Sequence, residues 1–381
     1  MTGAPAAATQ IDMEVSLSTV RTRAMTRRIL TADIAGEKHH VHFDLLDHEA
    51  PDTSIDGFIS CVLFKAMEIG DRMFIRGAVE RDTLINIREY ADAWACLRPE
   101  RYKRIDINAD EVVGPRPIST GPAIMAFSSG VDSMFSMLCR TEPDTLRPVK
   151  EAMFVSLAGA RSDEEITAYT NRLRPLLRER GVHLNVMTCN LKQVFRQDIE
   201  DSYAARYVSC LHNFEHLSSF AYLASGESYL EQVIPFGSSP STDHLLSTPA
   251  MKIVLDGASY TRTEKAGRIA KDKHARSVVH VCGRKHDSNC GVCGKCVRTR
   301  MNFLAHGVDP ECMPGKFELD QIDAIGIPHS AARLELESLS RYCVKHGVKE
   351  PWLARLNARI AAPVQSKFAR RVKKLRRHLH I

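Results

Sequence analysis

The stretch Ile124–Phe135, IMAFSSGVDSMF, constrains this chain more than any other. Ile124 to Phe127 is a continuous apolar run, the pattern of a strand buried on both faces of a parallel sheet. Ser128, Ser129 and Gly130 make a small polar turn. Asp132 and Ser133 are residue types that begin and cap helices, and Met134, Phe135, Met137 and Leu138 give the helix an apolar surface to pack. A strand, a small-residue turn and a helix N-terminus together form an anion site. The first-turn N–H groups lack helical partners, and the helix dipole adds partial positive charge. An ordinary strand-to-helix connection has the same parts, so the physics alone leaves both readings open.

From Ala123 onward, strands and helices alternate. Strands are predicted at Ala152–Leu157, His183–Met187, Gln232–Phe236 and Ser277–Val281. Helices are predicted at Asp163–Glu179, at Val194–Leu223 with a break, and at Thr263–Lys271. This alternation predicts an α/β fold, a doubly wound parallel sheet with helices on both faces. Ligands of such sheets bind at the carboxyl ends of strands. The turn at Ser128, Gly159 after the second strand, and Gly237–Asp243 after the fourth are therefore expected to converge on one crevice. The last two also read as plain turns.

The chain has 381 residues, long enough for two or three domains. A first unit, 1–118, is predicted to be a small α+β domain that positions a partner or provides a dimer face. It has a hairpin of Arg27–Asp33 and His39–Leu45 across Gly36, a helix at Phe58–Met67 and a strand at Arg72–Arg76. A helix at Leu84–Leu97 and a strand at Tyr102–Ile107 follow. The Pro- and Gly-rich run from Gly114 to Pro122 reads as a linker. The second unit spans 119–310. The third, 311–381, is helical, with helices at Ala332–Val344, Trp352–Ala361 and Val364–Leu379. The last carries Val364, Phe368, Val372, Leu375 and Leu379 on one face and seven Lys and Arg between Lys367 and Arg377 on the other. It reads as a docked terminal helix, or as a surface that attracts RNA phosphates without sequence preference.

With 44% hydrophobic and 26% charged residues, the composition is that of a soluble globular protein. No apolar run approaches the ~18 residues of a membrane span. The opening MTGAPAAATQ lacks the basic and apolar regions of a secretory signal. A cytoplasmic location is expected, with the 11 cysteines reduced. Clustered cysteines there point to metal before disulfide.

Such a cluster is present. Cys282, Cys290, Cys293 and Cys296 follow a C-x7-C-x2-C-x2-C spacing, with glycines at 283, 291 and 294 to let the sulfurs converge. Four thiolates suit a closed, structural Zn²⁺ site. An iron–sulfur cluster takes the same number of cysteines, and free thiols are the third reading. His286 is an alternative to Cys282 as fourth ligand.

The string SSGVDS resembles the S-G-G-x-D-S loop of the PP-loop ATP pyrophosphatases, whose members cleave ATP between the α and β phosphates. Ser129 stands where the first glycine of that pattern falls, so a positive φ would carry a steric penalty there. No Walker pattern, G-x-x-x-x-G-K-[ST], occurs. Loop and cysteines together resemble the 7-cyano-7-deazaguanine synthase family over about residues 120–305. Its cysteine pattern has a first gap of eight residues where this chain has seven. Thr261–Ala270 is similar to the family's L-T-K-x-E-I helix start, with the lysine displaced to Lys265. The family's D-Y-G-Q-x-H string is matched in place by Val155–Arg161, which has no Gln or His.

The resemblance implies an adenine-nucleotide α-hydrolase-like fold and the cofactors ATP, Mg²⁺ and Zn²⁺. ATP would lie on Ser128, Ser129, Gly130, Val131, Asp132 and Ser133, with Gly159 and Gly237 nearby. Asp132 and Lys265 would be catalytic, and Arg262 would stabilise charge. The implied activity is adenylation of a small-molecule or peptide carboxylate, followed by displacement of AMP by nitrogen to give an amide or nitrile. The missing Gln and His imply an acceptor other than a deazaguanine. Alternatives are an RNA-modifying enzyme, with Cys139, Cys189 or Cys210 as nucleophile, and a non-catalytic ATP-binding partner protein.

Overall fold

A computed structural model describes residues 12–46, 49–157, 161–327 and 330–362. The strands are β1 (Asp12–Arg21), β2 (Met25–Ile34), β3 (Glu37–Leu46), β4 (Arg72–Glu80) and β5 (Asp106–Val113). They continue with β6 (Ala123–Ala126), β7 (Val149–Leu157), β8 (His183–Cys189), β9 (Phe220–Ala224) and β10 (Lys252–Asp256). The helices are α1 (Ile59–Ile69), α2 (Arg81–Leu97), α3 (Val131–Arg140), α4 (Asp163–Glu179), α5 (Leu191–Val194) and α6 (Ile199–Leu211). After them come α7 (Arg262–Ala270), α8 (Lys273–Val278), α9 (Gly294–Leu304), α10 (Asp320–Asp323), α11 (Ser330–Lys345) and α12 (Pro351–Ala361).

All ten strands form one sheet in the order β10-β9-β6-β7-β8-β3-β2-β1-β4-β5. The five strands from β10 to β8 are mutually parallel. From β6 the chain winds outward through β7 and β8 on one side, then crosses to β9 and β10 on the other. The order therefore reverses between β6 and β9, the position where open α/β sheets bind ligands. Side chains alternate across the sheet as the pleat requires. Ile124 and Leu223 pack into a core shared with α1, α2 and α6, while Met125 and Tyr222 pack with α3, α4 and α7 on the opposite face.

The sheet runs on into the first part of the chain. β3 joins β8 antiparallel, with Phe43 opposite Cys189 and Leu46 opposite Val186. β2 and β3 form the hairpin across Gly36, where Ala35 (φ 54°) and Gly36 (φ 89°) give the left-handed pair that a tight hairpin turn needs. β1, not foreseen, lies between β2 and β4. A third core joins α9 to the C-terminal helices through Val297, Met301, Leu336, Leu339 and Trp352. The basic helix expected at Val364–Leu379 lies outside the described residues. Among the described residues, no helix is long and apolar enough to cross a membrane.

Two expected strands are absent and two others replace them. Gln232–Phe236 is a loop after a 3-10 turn at Tyr229–Glu231; Pro235 cannot donate to a ladder, which disfavours a central strand. The fourth strand is β9, drawn from the end of the expected helix Val194–Leu223. Its FAYLA run is sandwiched between β6 and β10. Ser277–Val281 is not a strand either: Asp272 caps α8 through Ala275 N–H, and that helix absorbs Ser277 and Val278. β10 takes the edge position instead.

Candidate functional site

The site grows from the carboxyl end of β6. Ala123, Ile124 and Met125 are fully buried, and Phe127 N–H still donates to Met153 O on β7 at 2.8 Å. Ser129 then takes φ 53°, a left-handed conformation uncommon for a residue with a Cβ. It is completely buried, with Oγ 2.7 Å from Tyr169 Oη on α4. The Tyr169 hydroxyl donates to Ser128 O at 2.8 Å, and His280 N–H donates to Ser129 O at 3.0 Å. Contacts from α4 and from the segment after α8 thus hold a serine in a geometry that glycine adopts freely.

α3 starts at Val131, one residue earlier than the expected start at Asp132; its cap is Gly130, and among the described residues no side chain caps the helix. Asp132 and Ser133 lie inside the first turn. Ser133 Oγ accepts from Ser128 N–H and donates to Gly130 O, both at 3.3 Å, and so braces the turn. The first-turn N–H groups of α3 have no acceptor within the helix. A ten-residue helix with an uncapped N-terminus behind a small-residue turn can bind an anion.

Asp132 anchors a chain of charges across four helices. It accepts from Arg262 Nη2 at 2.6 Å and Lys265 Nζ at 3.2 Å, both on α7. Lys265 is 1% exposed and also donates to Ser225 O at 2.5 Å, so it stands behind Asp132. Arg262 Nη1 donates to Glu335 on α11 at 3.0 Å, and Arg298 Nε on α9 lies 3.3 Å from the other oxygen of Glu335. Burial acts to raise the Asp132 pKa, but Arg262 and Lys265 outweigh it and hold it below the ordinary carboxylate value. Asp132 raises the Arg262 pKa in return, against the effect of burial.

A cleft of about 540 Å³ opens in front of this loop, a size usual for small-molecule sites. Arg161, Arg262, Lys295 and Arg298 line it against the carboxylates Asp132 and Glu335. This excess of cations favours a polyanion. Burial, with Arg172 and Arg161 close by, lowers the His280 pKa and so favours its neutral form. Tyr203 and Tyr207, one turn apart on α6 with ring centroids 4.7 Å apart, form an aromatic wall.

Gly237 is not among the residues that line the cleft. Gly237 packs on α6 so closely that a Cβ there would lie 2.6 Å from Glu200 O; its neighbours Phe236 and Ser238 line the cleft. Gly159 lies outside the described residues. Cys139, Cys189 and Cys210 do not line the cleft. Cys189 and Cys210 are buried, and burial pushes the Cys139 thiol up to about 11.

The four cysteines converge as their spacing predicts. The ligand atoms of Cys282, Cys290, Cys293 and Cys296 lie within 4.8 Å of one another. Cys282–Cys293 and Cys290–Cys296 are 4.0 Å apart and Cys293–Cys296 3.4 Å. Four sulfurs ~2.3 Å from one tetrahedral ion would be separated by about 3.8 Å, so the group can hold an ion such as zinc. Backbone N–H groups of Arg284 and Lys285 donate to Cys282 Sγ at 3.3 Å. Together with hydrogen bonds from Cys290 they outweigh burial and bring the Cys282 thiol down to about 6. His286 contributes its carbonyl, which accepts from Arg161 at 2.9 Å. Cys293 caps α9, so the cluster fixes the helix that carries Lys295 and Arg298 to the cleft.

Several cleft residues escaped sequence reading. Lys295 and Arg298 lie beside Cys296 in sequence, where a cation reads equally well as compensation for thiolate charge. The i, i+4 tyrosines Tyr203 and Tyr207 sat in a helix with no other functional signal. Compared with family models, curated proteins and solved structures, the chain matches none.

Proposed function

We propose that this protein is an ATP-dependent adenylating enzyme with an adenine-nucleotide α-hydrolase-like core. The observation that carries the reading is the Ser128–Ser133 turn, which sits at the reversal of strand order and opens into a cleft with an excess of cations. The turn and the first-turn N–H groups of α3 receive the triphosphate, and Mg²⁺ accompanies it. Arg161, Lys295 and Arg298 supply charge at the cleft wall. Asp132, already engaged by Arg262 and Lys265, holds the loop and aligns Arg262. Lys265 is a positioning residue, since its ammonium is enclosed behind Asp132.

In this reading a carboxylate oxygen of the acceptor attacks the α-phosphorus, the bond to the bridging oxygen breaks, and pyrophosphate leaves. The nitrogen of a neutral amine or ammonia then attacks the acyl carbon, the acyl C–O bond breaks as AMP departs, and a proton passes from nitrogen to solvent. The reaction gains from a site whose donors are fixed before charge develops. The four-cysteine cluster holds zinc as a structural clamp on α9. The test is AMP and pyrophosphate release from Mg²⁺–ATP across a panel of carboxylic acids with ammonium or primary amines. AMP formation dependent on one acceptor class supports the reading; hydrolysis to ADP and phosphate contradicts it.

A further inference from the structure

A second cavity of about 260 Å³ adjoins the phosphate-loop cleft and shares Gly226, Phe236, Arg262, Arg298 and Glu335 with it. Its charged lining comprises Glu227, Glu231, Glu335, Arg262 and Arg298. Four of these are paired within the protein. Glu231 pairs with Arg341 at 3.1 Å, Glu335 lies between Arg262 and Arg298, and Arg262 also holds Asp132. Glu227 is the exception. One of its oxygens accepts from Val233 N–H at 3.1 Å, and no cationic side chain among the described residues pairs with it.

We propose that this smaller cavity receives a primary ammonium group, with Glu227 as its recognition carboxylate. A half-buried carboxylate without a counter-cation is costly to keep ionised. Burial raises the Glu227 pKa, and the Val233 N–H and Arg262 offset it only partly. An incoming ammonium is the partner this carboxylate lacks, and charge-assisted hydrogen bonds of that kind are the strong ones. The neighbouring cations do not repel it greatly, because each already shares a carboxylate. Phe236, Ala332 and Leu334 give the cavity an apolar wall for a short carbon chain. The inference deepens the adenylation reading and rests on it for the ligand's role, either as the nitrogen nucleophile, which attacks after its ammonium has lost a proton to solvent, or as the acceptor's own amino group.

Ligand-observed NMR on the full chain, without ATP, tests it with n-propylammonium, 1-propanol and alanine at constant ionic strength. The wild type is expected to bind n-propylammonium roughly tenfold more tightly than the alcohol, a difference typical of one added ion pair. Glu227→Gln is expected to remove that preference while melting at the wild-type temperature. Alanine binding more tightly than n-propylammonium assigns the ammonium to a carboxylate-bearing acceptor; weaker binding assigns it to a separate amine, and both support the site. Equal binding of amine and alcohol, or a preference that survives Glu227→Gln, overturns it. Should Glu227→Gln fail to fold, the amine-over-alcohol ratio of the wild type decides alone. ATP titration of the same samples reports on the phosphate loop independently, so failure of one claim is distinguishable from failure of the other.

Discussion

Ser129 Oγ lies 2.7 Å from Tyr169 Oη, and the same tyrosine hydroxyl donates to Ser128 O at 2.8 Å. One side chain on α4 thus fixes two consecutive residues of the Ser128–Ser133 turn. A left-handed conformation costs a residue with a Cβ about 1–2 kcal/mol, and this pair of hydrogen bonds offsets it.

Tyr169→Phe is therefore expected to destabilise the protein by about 1–3 kcal/mol, since Ser129 Oγ and Ser128 O both lose a buried partner. ATP affinity falls with it as the loop loosens. Ser129→Gly removes the backbone strain and the hydrogen bond together, and is expected to change stability by less than about 1 kcal/mol. Urea unfolding of the two variants checks this. A Tyr169→Phe protein as stable as the wild type would contradict the role assigned to the tyrosine.

These dependencies mark where sequence reading stopped. The apolar run at β6, the hairpin across Gly36, the helix Asp163–Glu179 and the four-cysteine spacing were local patterns, and the structure carries each of them. The partner of Ser129 is 40 positions away on another helix, and no local period reports such a contact. β9 was misread because a short, fully buried apolar run carries no alternation to separate strand from helix. The Arg298–Glu335–Arg262–Asp132 chain joins four helices whose charges each look like solvated surface in one dimension.

The cysteine cluster makes a separate prediction. Purified protein is expected to contain about one equivalent of zinc, and chelation or Cys293→Ser to release α9. The effect reaches the cleft, because Cys282 and Lys295 line it. Hydrogen exchange should show lost protection from Val281 to Leu304 while β6–β8 stay protected. Fully folded protein without any metal would refute the structural assignment.

Asp243 predicts a pH dependence. It is 1% exposed, and burial pushes its pKa up to about 7 against hydrogen bonds from Ser239 N–H and the Ser238 hydroxyl. An unfolded aspartate titrates near ~3.9. The folded state therefore binds more protons than the unfolded state between these values. Its contribution is fully present below the unfolded pKa and is lost as pH rises through about 7. Asp243→Asn is expected to be more stable than the wild type at pH above this range, by on the order of 2 kcal/mol, and to lose the advantage in acid. Thermal unfolding across pH checks the sign; a variant less stable at every pH would contradict it.

In the proposed reaction the Ser128–Ser133 turn binds ATP for cleavage between the α and β phosphates. The most direct measurement of this is the product of ATP turnover by the wild type and by Gly130→Leu. Gly130 has φ −66°, which any residue adopts, and a Cβ there would meet Ser128 Oγ at 3.3 Å, so a leucine crowds the turn itself. The charge chain through Asp132 is left intact, unlike in Asp132→Ala, which strands the buried Lys265. The account predicts AMP and pyrophosphate in equal amounts from the wild type with its acceptor, and neither ATP binding nor AMP from Gly130→Leu. ATP binding and turnover unchanged in Gly130→Leu, or products of ADP and phosphate, would contradict it.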